Sequence, residues 1–152
     1  MIARPILGLD LGSVTGWAVR HSADRIDSGS WSLKGGRFEG GGMRFVRLRQ
    51  LVAEILDTVK PSLVAVEEVR RHLGTDAAHI YGGCLAVVSS ECEVRGIPYR
   101  GIPVGTVKKT ATGKGNADKG AMLAAANERW GLRLGAKDHD EADARWIAEA
   151  AL

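Results

Sequence analysis

The chain reads as an α/β fold, a mixed five-stranded sheet flanked by helices, and three features of the sequence predict it. Three short strand-like runs joined by tight turns come first, as in an antiparallel meander. Helix-period and strand-like segments then alternate to the C-terminus, which calls for crossover connections. One of the later strands, Leu63–Val69 (LVAVEEV), is apolar at successive positions until its carboxylates, the pattern of a strand covered on both faces in a parallel sheet.

The elements follow in order. Pro5–Leu11 (PILGLDL) is a short apolar run expected as a buried strand, with Thr15–Arg20 and Arg25–Leu33 as its antiparallel neighbours across Gly-, Ser- and Asp-bearing turns. Lys34–Gly42 (KGGRFEGGG) is too glycine-rich for regular structure and is expected as a mobile loop. Phe45, Leu48, Leu51, Val52, Ile55, Leu56 and Val59 recur at helical spacing, so Met43–Val59 is an amphipathic helix that Lys60-Pro61 ends. After the LVAV strand, Thr75–Val94 is a helix of small and apolar residues and Ile97–Ile102 another strand. Val104–Thr112 makes a short helix before the loop Gly113-Lys114-Gly115-Asn116. Asp118–Trp130 and Asp138–Leu152 are the last two helices. No repeat and no long linker divides the sequence, so residues 1–152 are read as one domain.

A length of 152 residues is enough for one sheet-centred core, and 45% hydrophobic with 26% charged residues is the balance of a globular protein. No apolar run approaches the ~20 residues of a membrane helix, and the N-terminus lacks the layout of a signal peptide, so a cytoplasmic location without membrane contact is expected. Cys84 and Cys92 fall within one helix without a second Cys/His pair, and are read as reduced thiols of the core. The net charge of +3 says little, but its distribution says more. Arg44, Arg47 and Arg49 cluster; so do Arg70, Arg71 and His72; and from Arg95 to Lys119 six basic residues are opposed only by Asp118. Three such clusters on a small domain point to a polyanionic partner.

The acids carry the chemistry. Asp10 interrupts an interior strand. Glu67 and Glu68 close another, and alternation allows only one of them to face Asp10; Glu67 is the choice, with Glu68 next. Asp140 and Asp143 are three apart near the start of the last helix and share a face. Each has a structural reading: a turn residue, a solvated strand end, a partner of the helix dipole. Together they are acids from three distant segments, all at the ends of central elements, and gathered acids repel unless a cation joins them. Oxygen-only ligation points to Mg²⁺ or Mn²⁺. Asp138, three residues before Glu141, resembles the cap of a capping box, leaving Asp140 and Asp143 free; His139 is a less favoured ligand.

These segments resemble the motifs of RuvC-type Holliday junction resolvases, in a compact, phage-like form. ILGLDLGSVTGWAV resembles the opening motif, AVEEV the second acidic strand, TVKKTATGKGNADKGAM the lysine segment around a Gly-x-Gly loop, and DEADA the closing acid pair. They occur in family order over almost the whole chain. The resemblance implies a ribonuclease-H-like fold and a homodimeric nuclease that nicks four-way DNA junctions symmetrically, with two Mg²⁺ or Mn²⁺ ions per site. Asp10, Glu67, Asp140 and Asp143 match the catalytic and metal-binding acids, and Lys108 and Lys119 the basic residues near the scissile phosphate. Arg70, Arg71, Lys109 and Lys114 are expected DNA contacts. The dimer interface is expected on the helix carrying Ala77, Ala78, Gly82, Gly83 and Ala86. The chain departs from the family where bacterial members tend to place an aromatic residue three positions after the second acid: here that residue is Arg70. The Gly35–Gly42 loop also differs, so strict sequence preference is not expected. The alternatives are a YqgF-like nuclease processing structured RNA and a non-catalytic nucleic-acid-binding module. An actin-like ATPase would need a second nucleotide-binding half.

Overall fold

Each strand-like run becomes a strand and each periodic run a helix in the computed structural model, which describes residues 4–71 and 74–152. His72, expected in a basic cluster, lies outside the described residues. The strands are β1 (Ile6–Asp10), β2 (Val14–Arg20), β3 (Ile26–Ser32), β4 (Leu63–Glu68) and β5 (Tyr99–Pro103). The helices are α1 (Met43–Val59), α2 (Thr75–Arg95), α3 (Val104–Thr112), α4 (Lys119–Trp130) and α5 (His139–Ala150). A 3-10 turn, Ala136–Asp138, precedes α5. The sheet order is β3-β2-β1-β4-β5. The first three strands pair antiparallel, and β4 and β5 join β1 in parallel. β1 is therefore the middle strand.

Strand alternation sorts the side chains onto two faces. Leu7, Leu9, Val64 and Val66 point to one face and form a core with Leu48, Val52 and Leu56 of α1 and Cys84, Val88 and Cys92 of α2. Ala65 and Ile102 point to the other, where Val107 of α3, Met122 and Ala126 of α4, and Ala142, Trp146 and Ile147 of α5 cover them. The period of four in Leu48, Val52 and Leu56 is the apolar stripe read from the sequence. Both cysteine thiols are buried, and burial pushes the pKa of each up to about 11. They are protonated core groups at neutral pH, as inert as their packing suggests.

α5 lies unusually close to the sheet, because two strand positions beneath it have no side chain. A Cβ on Gly8 of β1 would sit 2.5 Å from the Ala144 carbonyl oxygen and 2.7 Å from the Ala148 nitrogen. A Cβ on Gly16 of β2 would fall 1.9 Å from the Asp140 carbonyl oxygen, well inside van der Waals contact. Ala144 and Ala148 complete the fit from the helix side. Polar ties fix the helix along the sheet. Arg20 Nε donates to Glu149 Oε2 at 2.6 Å. The buried Arg145 donates from Nε to Ser28 Oγ at 2.7 Å and from a terminal nitrogen to the Ile26 carbonyl at 3.1 Å. Ser28 Oγ in turn donates to Glu141 Oε2 at 2.6 Å.

Two expectations need correction here. Asp138 and Glu141 form no capping box at the start of α5. The Asp138 carboxylate turns back to accept from the Gly135 amide at 2.9 Å, closing the 3-10 turn, while Glu141 is taken by Ser28. The small-residue face of α2 is also partly used within the chain: a Cβ on Gly83 would meet the Phe45 ring of α1 at 2.4 Å, so Gly83 serves the contact between α1 and α2. Gly82, Ala77 and Ala86 remain exposed. Among the described residues no helix is long and apolar enough to cross a membrane.

The close approach of α5 is directly testable. Gly16→Ala should destabilise the protein by about 3 kcal/mol, because the new methyl overlaps backbone that cannot rotate away. Gly105→Ala, an exposed site on α3 with open space around it, should instead gain about 0.5–1 kcal/mol from helix propensity. Urea unfolding of both variants checks the pair; a Gly16→Ala protein as stable as the native one would contradict the contact.

Candidate active site

Asp10 is the last residue of β1, and the parallel register with β4 decides its neighbour. Leu9 pairs with Val66, so the next residues along, Asp10 and Glu67, stand side by side at the carboxyl ends of adjacent strands. Asp10 shares a face with Gly8 and Glu67 with Ala65, which is the face that α5 covers. In the antiparallel direction Asp10 pairs with Gly16, the residue on which the backbone of Asp140 rests. The missing side chain at Gly16 thus lets Asp140 reach Asp10, and the two carboxyl groups are hydrogen-bonded. Asp143 lies one turn further along the same face. Glu68 points the opposite way, against Gly101 of β5 and paired at 3.3 Å with Arg70. The preference for Glu67 over Glu68 follows the geometry.

The charges of the four acids act on one another. The Asp10 carboxyl is pushed well above the usual aspartate range, first by burial, then by Asp143, Asp140 and Glu67 and by its bond to Asp140. Asp143 is pushed up to about 6, mainly by burial and by Glu67; His139 and Lys119 pull the other way. Burial also raises Glu67, against the opposing pull of Lys108. Lys108 on α3 and Lys119, the first residue of α4, therefore both act on the acids, although they come from separate helices. His139 Nε2 is 3.5 Å from Asp140 Oδ1, and its Nδ1 lies 3.1 Å from the Ala136 carbonyl oxygen. The remaining expected contacts, Arg70, Arg71, Lys109 and Lys114, are all exposed. None of them has a charge that acts on the acid group strongly enough to move these carboxyls.

One residue escaped the sequence reading. Tyr81 of α2 donates its hydroxyl to the Glu67 carbonyl at 2.7 Å and accepts from the Val69 amide at 3.4 Å, which fixes the chain where β4 ends. A tyrosine among small residues near the start of a helix was the only available signal.

The residues fit a hard divalent cation. Asp140, Asp143 and Glu67 all act on Asp10, and the donor set of the four acids is entirely oxygen. Among the described residues no three His, Cys, Asp or Glu side chains are placed to hold a metal ion together as they stand.

A mixed sheet of order 3-2-1-4-5, with acids at the ends of its two central parallel strands and on a C-terminal helix crossing them, defines a ribonuclease-H-like fold. No protein-family model matches the chain. It is 30% identical over 122 residues to the crossover junction endodeoxyribonuclease RuvC of Nitratidesulfovibrio vulgaris, covering 75% of this chain and 70% of that one. It is 35% identical over 109 residues to RuvC of Corynebacterium efficiens, covering 69% of this chain but only 47% of that protein, about half its length. The structure of Thermus thermophilus RuvC in complex with a Holliday junction substrate superimposes with a TM-score of 0.81 at 25% identity, over 97% of this chain and 92% of that one. The chain belongs to the RuvC family.

The raised carboxyl pKa values set a pH dependence. An ordinary aspartate titrates near 3.8 and Asp143 in the fold at about 6. Between these values the folded state holds more protons than the unfolded chain, so the metal-free protein loses stability as pH rises through the window. A cation that replaces those protons should reverse the loss. Added Mg²⁺ at about a hundredfold excess over its Kd should raise Tm by about 5–10 °C above the window, and far less below about pH 5. Asp143→Asn should flatten this dependence. Differential scanning calorimetry checks it; a Mg²⁺ shift that is the same on both sides of the window would refute the linkage.

Proposed function

We propose that the chain is a metal-dependent endonuclease that resolves four-way DNA junctions by paired symmetric nicks, and that it also accepts other branched DNA. The observation that carries this reading is the convergence of Asp10, Glu67, Asp140 and Asp143, flanked by Lys108 and Lys119, in a chain of the RuvC family. We read residues 1–152 as one nuclease domain and its place of work as the cytoplasm.

The four acids would hold two ions, Mg²⁺ or Mn²⁺, with Asp10 central because each of the other three acts on it. Such ions supply Lewis acidity and charge neutralisation for phosphodiester hydrolysis. Lys108 and Lys119 place positive charge beside Glu67 and Asp143, where negative charge grows on the phosphate in the transition state, and a preorganised charge there costs no rearrangement. Tyr81 holds the Glu67 main chain in place while this happens. Arg70 and Arg71 after β4, Lys109 on α3 and Lys114 between α3 and α4 grip the phosphate backbone. The Arg70–Glu68 pair is largely exposed and therefore weak, so the guanidinium can exchange that carboxylate for a phosphate. Contacts of this kind position DNA without reading its bases, so cleavage should show little sequence preference. The YqgF-like RNA reading and the non-catalytic module are set aside in favour of the resolvase, because the acids and the lysine segment occur together.

The test is a labelled four-way junction with and without Mg²⁺. The native protein should cut it only with the metal, at sites spread over varied core sequences. Asp10→Asn, Glu67→Gln and Asp143→Asn should each abolish cutting while keeping the fold and junction binding. Lys108→Ala and Lys119→Ala should lower kcat by about a hundredfold and weaken binding far less. Metal-independent binding with no cutting would favour the binding module, and normal cutting by Glu67→Gln would move the ligand to Glu68.

Two symmetric nicks require two sites, hence a homodimer with a two-fold axis. With Gly83 used inside the chain, the candidate face on α2 reduces to Ala77, Ala78, Gly82 and Ala86. Sedimentation should give a dimer at micromolar concentration, and Gly82→Arg should give a folded monomer that binds the junction but nicks it singly. A native monomer that resolves junctions would rule the dimer out.

A further inference from the structure

We infer that Phe38, presented by the Gly35–Gly42 loop, is a stacking platform for an unpaired nucleobase of the branched substrate. The inference rests on the reading of the chain as a branched-DNA nuclease and names a contact outside its acid site. Phe38 is 95% exposed, the most exposed large hydrophobic residue among those described. The next residue, Glu39, accepts from the Gly36 amide at 2.9 Å and also pairs with Arg47 of α1, so the turn that carries the ring is tied to the helix that follows it. The Arg37 guanidinium lies 5.6 Å from the ring centroid, over one face only.

Topology starts this loop at the end of the sheet where the acids lie. β3 is antiparallel to β2 and β2 to β1, so the C-terminal end of β3 is at the same edge of the sheet as Asp10. Where β3 ends, the Leu33 amide donates to the Ser13 carbonyl at 2.8 Å, in the turn that follows Asp10. Leu33 itself is buried, so the loop leaves from a fixed point on the rim. From Lys34 to Arg49 the basic residues are Lys34, Arg37, Arg44, Arg47 and Arg49; Arg47 is paired with Glu39, the one acid of the segment, and Arg49 with Glu91 of α2 at 3.4 Å, which leaves Lys34, Arg37 and Arg44 as the cations nearest the ring in sequence without an ion pair among the described residues. An exposed aromatic ring within a basic segment is the combination that binds single-stranded nucleic acid: the cations follow the phosphates and the ring takes a base. In an intact duplex every base is already stacked, so this contact is open only where strands part, at a branch or a single-stranded end. Phe38 would thereby favour branched over linear DNA, without preference for a base, since every base has a π-face.

The experiment compares native protein, Phe38→Ala and Phe38→Trp, in EDTA, on an immobile four-way junction and on a linear duplex of the same length. The junction carries 2-aminopurine at the branch. Phe38→Ala should bind the junction about tenfold more weakly, leave duplex affinity unchanged and lose the fluorescence change that the native protein produces. Phe38→Trp should retain both. Native-like junction affinity for Phe38→Ala, or an equal loss on both substrates, overturns the inference, the second outcome pointing to a general backbone contact. Failure of the native protein to cut any branched DNA with Mg²⁺ would instead defeat the functional reading beneath it.

Discussion

The site depends on how closely α5 crosses β1 and β2. Packed layers of secondary structure ordinarily stand roughly 8–10 Å apart, separated by side chains, and at that spacing a short aspartate on the helix would not reach an aspartate at a strand end. Gly8 and Gly16 remove the spacer on one side, and Ala144 and Ala148 minimise it on the other. The gain is positional. Asp140 sits over the strand residue that pairs with Asp10, so the order of the acids in space follows from backbone packing and not from flexible side chains. The ties from Arg145 to Ser28 and from Arg20 to Glu149 then stop the helix from sliding along the groove it occupies.

That packing works against the electrostatics. Bringing four carboxyl groups together under partial burial raises their pKa values, and the fold stores this as a cost that only protons or cations relieve. Lys108 and Lys119 relieve it in part from outside, acting on Glu67 and Asp143. On the proposed reading, a small cation would relieve what remains of this cost, and the positive charge of the two lysines would be left for a phosphate.

Much of this was legible in the sequence, for identifiable reasons. Elements with strong periodicity were placed to within a residue or two: α1 at Met43–Val59 and α3 at Val104–Thr112 have the bounds expected for them. Strand parity was enough to separate Glu67 from Glu68. The failures are cases where a local pattern competes with a distant partner. Asp138 and Glu141 have capping-box spacing, but Ser28, more than a hundred residues away in sequence, claims Glu141. Gly83 looked like part of an outward face until Phe45 took its place beside it. The role of Gly16 was hidden because nothing in a Thr-Gly turn motif announces that a helix from the far end of the chain will rest on it.

The tether at the end of β4 has a further consequence. Tyr81 holds the Glu67 and Val69 main chain through a phenol, and burial raises that phenol's pKa above its ordinary value, so it stays neutral and able to donate throughout the range in which the acids titrate. The contacts beneath α5 at Gly8 and Gly16 are backbone on backbone and carry no titratable group at all. The hold of Tyr81 on the end of β4 and the close contacts at Gly8 and Gly16 thus persist while the acids gain or lose protons, so these parts of the frame do not depend on the charge state of the carboxyls they position.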